Sequence, residues 1–409
     1  MLCPDAGCTP TSGSRPRATN LRSIELFTGA GGLALGTHRA GFSHELLVEA
    51  DATAAATLRA NIDAHSEPGI EGWNLRHGRV QSVDLRDFAG IDCCAAGPPC
   101  TPFSVAGKQQ GRADRRDMLP HFVRAVRETE PKTWMFENVQ GLAWDRFRPY
   151  LDYVLLQLTH PTLERRSGER WTHHLARLQA ARREPHYVVA WRVLNAADYG
   201  VPQTRWRLFA VGVDPDLAGD FRFPVDTHSA DALLWSQWVT GDYWKRHGLR
   251  QPQTPARLRH RVEDLEQRAK DGTLAARVPW VTVRDALGDL PVPTTCRDTE
   301  PSGHWVQPGA RRYEGHDGSP WDMPSKTLKA GAHGVPGGEN MLRHPNGKVR
   351  YFTIRELARL QTFPDAWSFS GEWGSMMRQV GNAAPVDLVH AVAGRVERAL
   401  GEEVGEKAA

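Results

Sequence analysis

Between residues 23 and 213 the chain alternates short apolar runs with longer amphipathic ones, and a glycine-bearing turn joins the first pair. The runs at 23–27, 45–49, 78–83, 91–96, 133–137, 187–194 and 208–213 read as strands, and those at 32–40, 52–61, 118–129 and 147–158 as helices. Strand–helix alternation of this kind predicts an α/β fold with a doubly wound sheet. Residues 164–184, rich in Arg, Glu and His, read as an exposed helical insertion. After Pro224 the alternation stops, and Trp, Pro, Arg and His become frequent as far as Pro320. A chain of 409 residues, 40% of them hydrophobic, suits one large domain and a smaller second lobe.

Several classes are excluded at once. No apolar run approaches the roughly 18 residues that a membrane span needs. Residues 1–20 lack an apolar stretch and read as a disordered leader rather than a secretion signal. The six cysteines form neither a CxxC pair nor a regular framework, so a reducing, cytoplasmic setting is expected and no metal site. The net charge of +3 does not by itself demand a nucleic-acid partner. Residues 241–284, however, hold ten basic side chains against five acidic ones, a local excess of +5. Further on, Thr353 followed by Glu356 is a capping-box signature for a helix at 353–361, and a last helix is expected at 385–400.

Two constellations carry chemistry. The first, Glu25-Leu26-Phe27-Thr28-Gly29-Ala30-Gly31-Gly32, ends a strand and opens a helix, where glycines let backbone N–H groups approach a ligand. Glu49 ends the next expected strand, where a carboxylate can accept two ribose hydroxyls. Asp84 ends the third and can accept from an adenine amino group. An adenosine-type cofactor is implied, but the same residues fit a dinucleotide fingerprint, so its identity stays open on these grounds.

The second constellation follows the run at 91–96. Pro98 and Pro99 fix the backbone ahead of Cys100 at the carboxyl edge of the sheet, where ligands of open α/β sheets bind. Residues 107–116 are polar, glycine-bearing and basic, as an active-site loop is. Cys93 and Cys94, inside the apolar run, read as core residues. Glu137 falls at the same edge after another apolar strand, and Arg205 and Arg207 share one face of an extended segment. Taken singly, each arginine reads more readily as a solvated surface charge.

As an ordered set, FTGAGG (27–32), PPCTPFS (98–104), ENV (137–139), QTRWR (203–207), RELARLQTFP (355–364) and GNAAP (381–385) closely resembles the motifs of the DNA cytosine-C5 methyltransferases of bacterial and phage restriction–modification systems. The resemblance spans roughly residues 22–213 and 325–398. It implies a class I S-adenosylmethionine-dependent methyltransferase fold, Rossmann-like, with a smaller and variable target-recognition lobe. The implied organisation is a leader (1–20), a catalytic domain (21–214), a recognition domain (215–365), a segment returning to the catalytic domain (366–402) and a tail (403–409).

By the same resemblance Cys100 attacks C6 of a flipped cytosine in duplex DNA. Glu137 contacts N3 and the exocyclic amine, Arg205 helps hold the base and the Glu137 carboxylate, and Arg207 assists through neighbouring contacts. S-adenosyl-L-methionine is expected against Phe27, Gly29, Gly31, Glu49, Asp84 and Pro99, with Leu119 near the adenine and Asn382 returning to the methionine end. Arg355 is expected to organise the recognition lobe. The implied partners are double-stranded DNA and a restriction endonuclease acting separately on the same site; a monomer in the cytoplasm, associated with the nucleoid, is expected. Thr101, Glu25 and the ending of GNAAP depart from the usual pattern without removing a group the mechanism requires. An RNA methyltransferase of the same fold and a non-catalytic DNA-binding relative are the rival readings. The first lacks its Cys-Phe-Thr tripeptide here, and the second sits badly with Cys100, Glu137 and Arg205 together.

Overall fold

The computed structural model describes residues 21–99, 117–298, 300–331 and 340–401. Its centre is a seven-stranded sheet built from β1 (Leu21–Leu26), β2 (Phe42–Glu49), β3 (Leu75–His77), β4 (Cys93–Ala96), β5 (Thr133–Val139), β6 (Val188–Asn195) and β7 (Trp206–Val213). The order is β3-β2-β1-β4-β5-β7-β6. The first five strands are parallel, whereas β7 runs antiparallel between β5 and β6. Buried on both faces, β4 and β5 show the continuous apolar run that such strands need, in place of an alternating pattern.

Helices cover both faces, so the doubly wound reading holds. On one side α1 (Gly32–Arg39), α2 (Ala52–Asp63) and the final helix α12 (Val386–Gly401) pack with Leu47, Phe209 and Val211. On the other, α3 (Leu119–Thr129) and α4 (Arg148–Thr159) enclose Trp134, Phe136 and Leu208. Asp51 starts α2 by accepting hydrogen bonds from the Thr53 and Ala54 amides at 3.0 and 2.9 Å. At Gly36 α1 approaches α12 so closely that a Cβ would stand 2.5 Å from that of Val389. A buried histidine ties this layer to the sheet: the His44 ring lies between Ser23 Oγ of β1, at 2.9 Å, and the Ala34 carbonyl of α1, at 2.8 Å.

Two expectations need correction. The third strand is Leu75–His77, and the run at 78–83 instead contains a 3-10 turn over Val80–Ser82. Val80 and Val83, three apart, both turn into the core, which suits a turn and not a strand. Asp84 therefore follows a turn and ends no strand. The insertion at 164–184 is only partly exposed: it forms α5 (Trp171–Gln179), which buries His174 and Leu178 and lays Trp171 and Leu175 on the core.

Outside the seven-stranded sheet β8 (His228–Ser229) pairs with β9 (Val278–Pro279), and β10 (Ser319–Pro320), β11 (Met341–Arg343) and β12 (Val349–Tyr351) form a three-stranded sheet. Around them lie α6 (Ala230–Leu234), α7 (Asp242–Arg246), α8 (Ala256–Lys270), α9 (Val283–Leu287), α10 (Ile354–Leu360) and α11 (Trp373–Asn382). The capping box that opens α10 is present, Thr353 Oγ1 accepting from the Glu356 amide and Glu356 returning to the Thr353 amide. Helix α11 shares an apolar cluster with β11, β12 and α10, while α12 joins the main sheet. The two C-terminal helices thus belong to two different apolar clusters. Among the described residues no helix is long and apolar enough to cross a membrane.

Candidate active site

The β1–α1 turn is built for close approach. Phe27 and Gly29 adopt left-handed conformations, with φ of 60° and 59°, and Gly31 follows at 96°. Space is open where a Gly29 Cβ would stand, while at Gly31 a Cβ would meet Leu58 and Trp367 at 2.8 Å. Glu49, at the end of β2, accepts the Gly29 N–H at 2.6 Å and the Asp51 N–H at 2.6 Å, one on each oxygen. Burial holds its carboxyl above the ordinary range despite those two bonds. A carboxylate offers about four acceptor sites, so two hydroxyls can still be received. Beneath the turn, Glu25 is wholly buried, and burial pushes its carboxyl far up against the opposing pull of the Ala34 backbone and the Thr28 side chain.

One strand over, β4 leads through Gly97, Pro98 and the exposed Pro99 towards Cys100. Cys100 and residues 101–116 lie outside the described residues, so nothing structural is added to the expectation for that thiol. Its immediate support is visible: Asn138, buried at the end of β5, donates through Nδ2 to the Pro98 carbonyl at 3.1 Å. Cys93 and Cys94 are core thiols, as expected, and burial pushes the Cys93 thiol up to about 12.

Glu137 precedes Asn138 on β5 and is nearly buried. Its Oε1 pairs with Arg207 Nε at 2.8 Å. Burial raises the carboxyl above its ordinary value, against the opposing pull of Arg207 and then Arg205. Such a group holds a proton closer to neutrality than a surface glutamate and can donate it to a ring nitrogen. The β5–β7 register explains the pairing, because Glu137 lies opposite Phe209 and Arg207 is two residues along on the same face.

Neither arginine is a surface charge. Arg205, 0% exposed, donates to the carbonyls of Leu328 at 2.8 Å, Gly381 at 2.7 Å and Ala383 at 3.0 Å. The resemblance assigns Arg205 to the Glu137 carboxylate, whereas the ion pair is made by Arg207. Arg205 contributes its charge from a distance and joins β7 to the C-terminal segment. Gln203 and Gln361 complete that joint: Gln203 Nε2 donates to the Leu360 carbonyl at 3.1 Å, and Gln361 Nε2 donates to the Val380 carbonyl at 2.7 Å. Sequence reasoning gave no role to Gln203, Gln361 or Asn138, although all three stand inside the motifs; buried amides next to glycine and proline turns were the available signal.

The remaining expected residues are spread around this edge. Asn382 is exposed just after Gly381, where an added Cβ would fall 2.6 Å from the Ala330 nitrogen. Leu119 starts α3 and is buried. Asp84 is exposed and engaged: Arg86 Nε and Nη2 donate to its two oxygens at 2.9 and 2.8 Å, which holds its carboxyl down to about 2. Arg355 is buried and donates to the carbonyls of Ser302, Pro364 and Trp367.

The basic excess of the second lobe is largely paired internally. Arg246 meets Asp285, Arg261 and Arg268 meet Asp231, Arg277 meets Asp226 and Arg284 meets Asp322. Among the described residues of this stretch, Arg250, Arg257, Arg259 and Lys270 are exposed and make no ion pair.

The sequence model of the family described as C-5 cytosine-specific DNA methylase matches residues 21–161 and 163–398. Type II methyltransferase M.PspPI of Psychrobacter sp. (strain TA137) is 32% identical over 392 residues, 92% of this chain and 79% of that protein. Type II methyltransferase M.NgoMIV of Neisseria gonorrhoeae is 29% identical over 93% of this chain and 98% of its own length. The crystal structure of S. pombe Dnmt2 methyltransferase superposes with a TM-score of 0.54 at 16% identity, covering 93% of this chain and 99% of that one, a likeness of fold.

Proposed function

Because the chain belongs to the C-5 cytosine-specific DNA methylase family and is a DNA (cytosine-5-)-methyltransferase, we propose that it methylates cytosine within one short site in duplex DNA through Cys100, Glu137, Arg207 and Arg205. The observation that carries this assignment of roles is the buried Glu137–Arg207 pair, one strand away from the Pro98–Pro99 turn that delivers Cys100. The target atom is inaccessible inside a duplex, so the nucleotide is flipped out to reach this edge.

Cys100 adds to C6 of the flipped cytosine, forming the sulfur–carbon bond while the ring electrons move toward N3. Glu137 supplies a proton at N3 and balances that charge, a role its raised pKa suits. Arg207 keeps the carboxyl oriented, and Asn138 fixes the turn ahead of the nucleophile. C5 thereby becomes nucleophilic enough to accept a methyl group. Glu137 takes the N3 proton back as the methyl arrives, and loss of the C5 proton to a base with expulsion of the Cys100 sulfur restores the aromatic ring as 5-methylcytosine.

S-adenosyl-L-methionine, when bound, supplies the sulfonium methyl. The residues present fit it: the open face at Gly29 admits a group against the backbone, and Glu49 keeps acceptor capacity for ribose hydroxyls. Phe27, Gly31, Pro99, Leu119 and Asn382 complete the proposed cofactor contacts, and Asp84 joins them only by sharing its carboxylate with Arg86. The second lobe grips and reads the DNA, as a monomer working in the cytoplasm on nucleoid DNA beside a separate restriction endonuclease.

The test is methylation of a mixed-sequence duplex by the purified protein, read by base-resolved 5-methylcytosine sequencing, with calorimetric binding of S-adenosylhomocysteine as an independent readout. Modification at one recurring motif is expected. Protein that binds the cofactor product yet modifies no duplex cytosine would overturn the DNA reading, and structured RNA would be tried next.

A further inference from the structure

The start of β7 inverts the usual patterning of a strand. Arg205 and Arg207 point inward and are buried or nearly so, while Trp206 between them is 46% exposed. Among the described residues its indole makes no hydrogen bond and packs on no other ring. Its backbone, by contrast, is held: the Trp206 carbonyl accepts a hydrogen bond from Arg207 Nη1 at 2.8 Å, and Arg207 in turn holds Glu137. The ring leaves the first residue of β7 on the face opposite Arg207, at the end of the strand nearest the carboxyl that would receive the target base.

A second indole emerges at the same edge. β5 ends at Val139 opposite Arg207, and the 3-10 turn Gln140–Ala143 that follows packs against β7. Trp144 leaves that turn 36% exposed, with the Arg146 guanidinium over its ring at 5.0 Å. One exposed tryptophan on a surface is unremarkable. Two at the carboxyl edge of the sheet, one of them under a guanidinium, have the composition of a surface on which nucleobases stack.

We infer that Trp206, with Trp144 at the same edge of the sheet, is a stacking surface for the substrate strand, and that Trp206 covers a base neighbouring the extruded cytosine. Flipping a nucleotide removes one stacking partner from each of its neighbours, and an exposed indole at the edge that receives the flipped base replaces it. The inference rests on the DNA methyltransferase reading and deepens it, giving the strand contact to β7 as well as to the second lobe. Trp206 here binds and positions; it takes no part in the bond changes at C5 and C6.

The experiment uses the full-length protein, S-adenosylhomocysteine and a fluorescent duplex carrying the motif that the wild type methylates. Anisotropy gives the affinity of wild type, Trp206→Ala, Trp206→Phe and Trp206→Gln; a second duplex has abasic sugars on both sides of the target cytosine. Trp206→Ala should weaken binding to the intact duplex by on the order of tenfold, Trp206→Phe by no more than about threefold, and S-adenosylhomocysteine binding should not change. On the abasic duplex the difference between wild type and Trp206→Ala should collapse. Should the alanine variant lose cofactor binding, the Phe and Gln variants decide the matter, since only the first keeps a ring. Equal affinities of wild type and Trp206→Ala, or of the Phe and Gln variants, or a difference that survives on the abasic duplex, would overturn the inference. Failure of the wild type to methylate any duplex is a separate result and overturns the functional reading instead.

Discussion

Lowering the pH should loosen the α1–β1–β2 corner that carries the cofactor turn, through one histidine. His44 Nε2 faces the Ala34 carbonyl at 2.8 Å, and a carbonyl only accepts, so Nε2 carries the hydrogen. Nδ1, 2.9 Å from Ser23 Oγ, then accepts from that hydroxyl. Protonation would place a charge in a dry site and remove the acceptor. Burial accordingly pushes the imidazole down from 6.5 to about 4, with the nearby His38 adding to the effect and the Ala34 bond opposing it. The folded value lies below the unfolded one, so the unfolded chain binds the proton first and stability is lost as pH falls below 6.5 toward 4. Between pH 7.5 and pH 5 this amounts to about 2 kcal/mol. His44→Gln keeps a donor toward Ala34 but cannot titrate. Urea denaturation of both proteins at the two pH values should show the wild type losing about 2 kcal/mol more than the variant, all other titrations being common to both. If the two losses agree within about 0.5 kcal/mol, the histidine is not the sensor and the assignment of its hydrogen bonds is wrong.

Three further outcomes are expected. Cys100→Ala should abolish methyl transfer while S-adenosylhomocysteine affinity, measured by calorimetry, stays within about threefold of wild type; retained turnover would remove the thiol from the mechanism. Arg207→Met leaves the Glu137 carboxyl buried without its ion-pair partner and should cost about 3 kcal/mol in urea denaturation. Adding Glu137→Gln should restore most of that stability without restoring activity, and a stable single variant would show that Glu137 is already neutral. Gly381→Ala forces a Cβ to within 2.6 Å of the Ala330 nitrogen and should destabilise the protein by about 2 kcal/mol in the same assay.

What the sequence showed and what it hid follow physical lines. The parallel strands were legible because burial on both faces makes β4 and β5 continuous apolar runs. The third strand is hidden because Val80 and Val83, just after it, are as apolar as strand residues, and only their spacing of three betrays a turn. The buried state of Arg205 and Arg207 could not be read locally. Their partners are Glu137, far upstream, and the carbonyls of Leu328, Gly381 and Ala383, far downstream, and no single segment records such a meeting. The same limit applies to the basic stretch at 241–284, whose excess charge suggested an open cationic surface. Much of it answers aspartates on other elements, among them Asp226, Asp231 and Asp322.

The division of labour between the two arginines follows from the direction of one strand. β5 points its carboxyl end, with Glu137 and Asn138, at the edge where the Pro98–Pro99 turn leaves β4. Because β7 is antiparallel to β5, its beginning lies at that same edge, and residues 203–207 arrive beside Glu137. Were β7 parallel, those residues would start roughly 20 Å away, at the far end of a seven-residue strand. The antiparallel insertion thus brings to the reacting edge a segment that bonds both to Glu137 and to the C-terminal carbonyls. Alternation then fixes what each side chain meets. Arg207, within the ladder, is held against Glu137. Arg205, one step before the ladder, extends beyond the sheet to the carbonyls of the C-terminal segment. Trp206, on the opposite face, is left to solvent. Exchanging either arginine for lysine would keep the charge but lose the planar fork, and Arg205 needs that fork more, since it satisfies three carbonyls at once. Arg205→Lys should therefore loosen the C-terminal segment, seen as faster amide exchange in α11, while Arg207→Lys should leave that exchange unchanged and act on turnover alone.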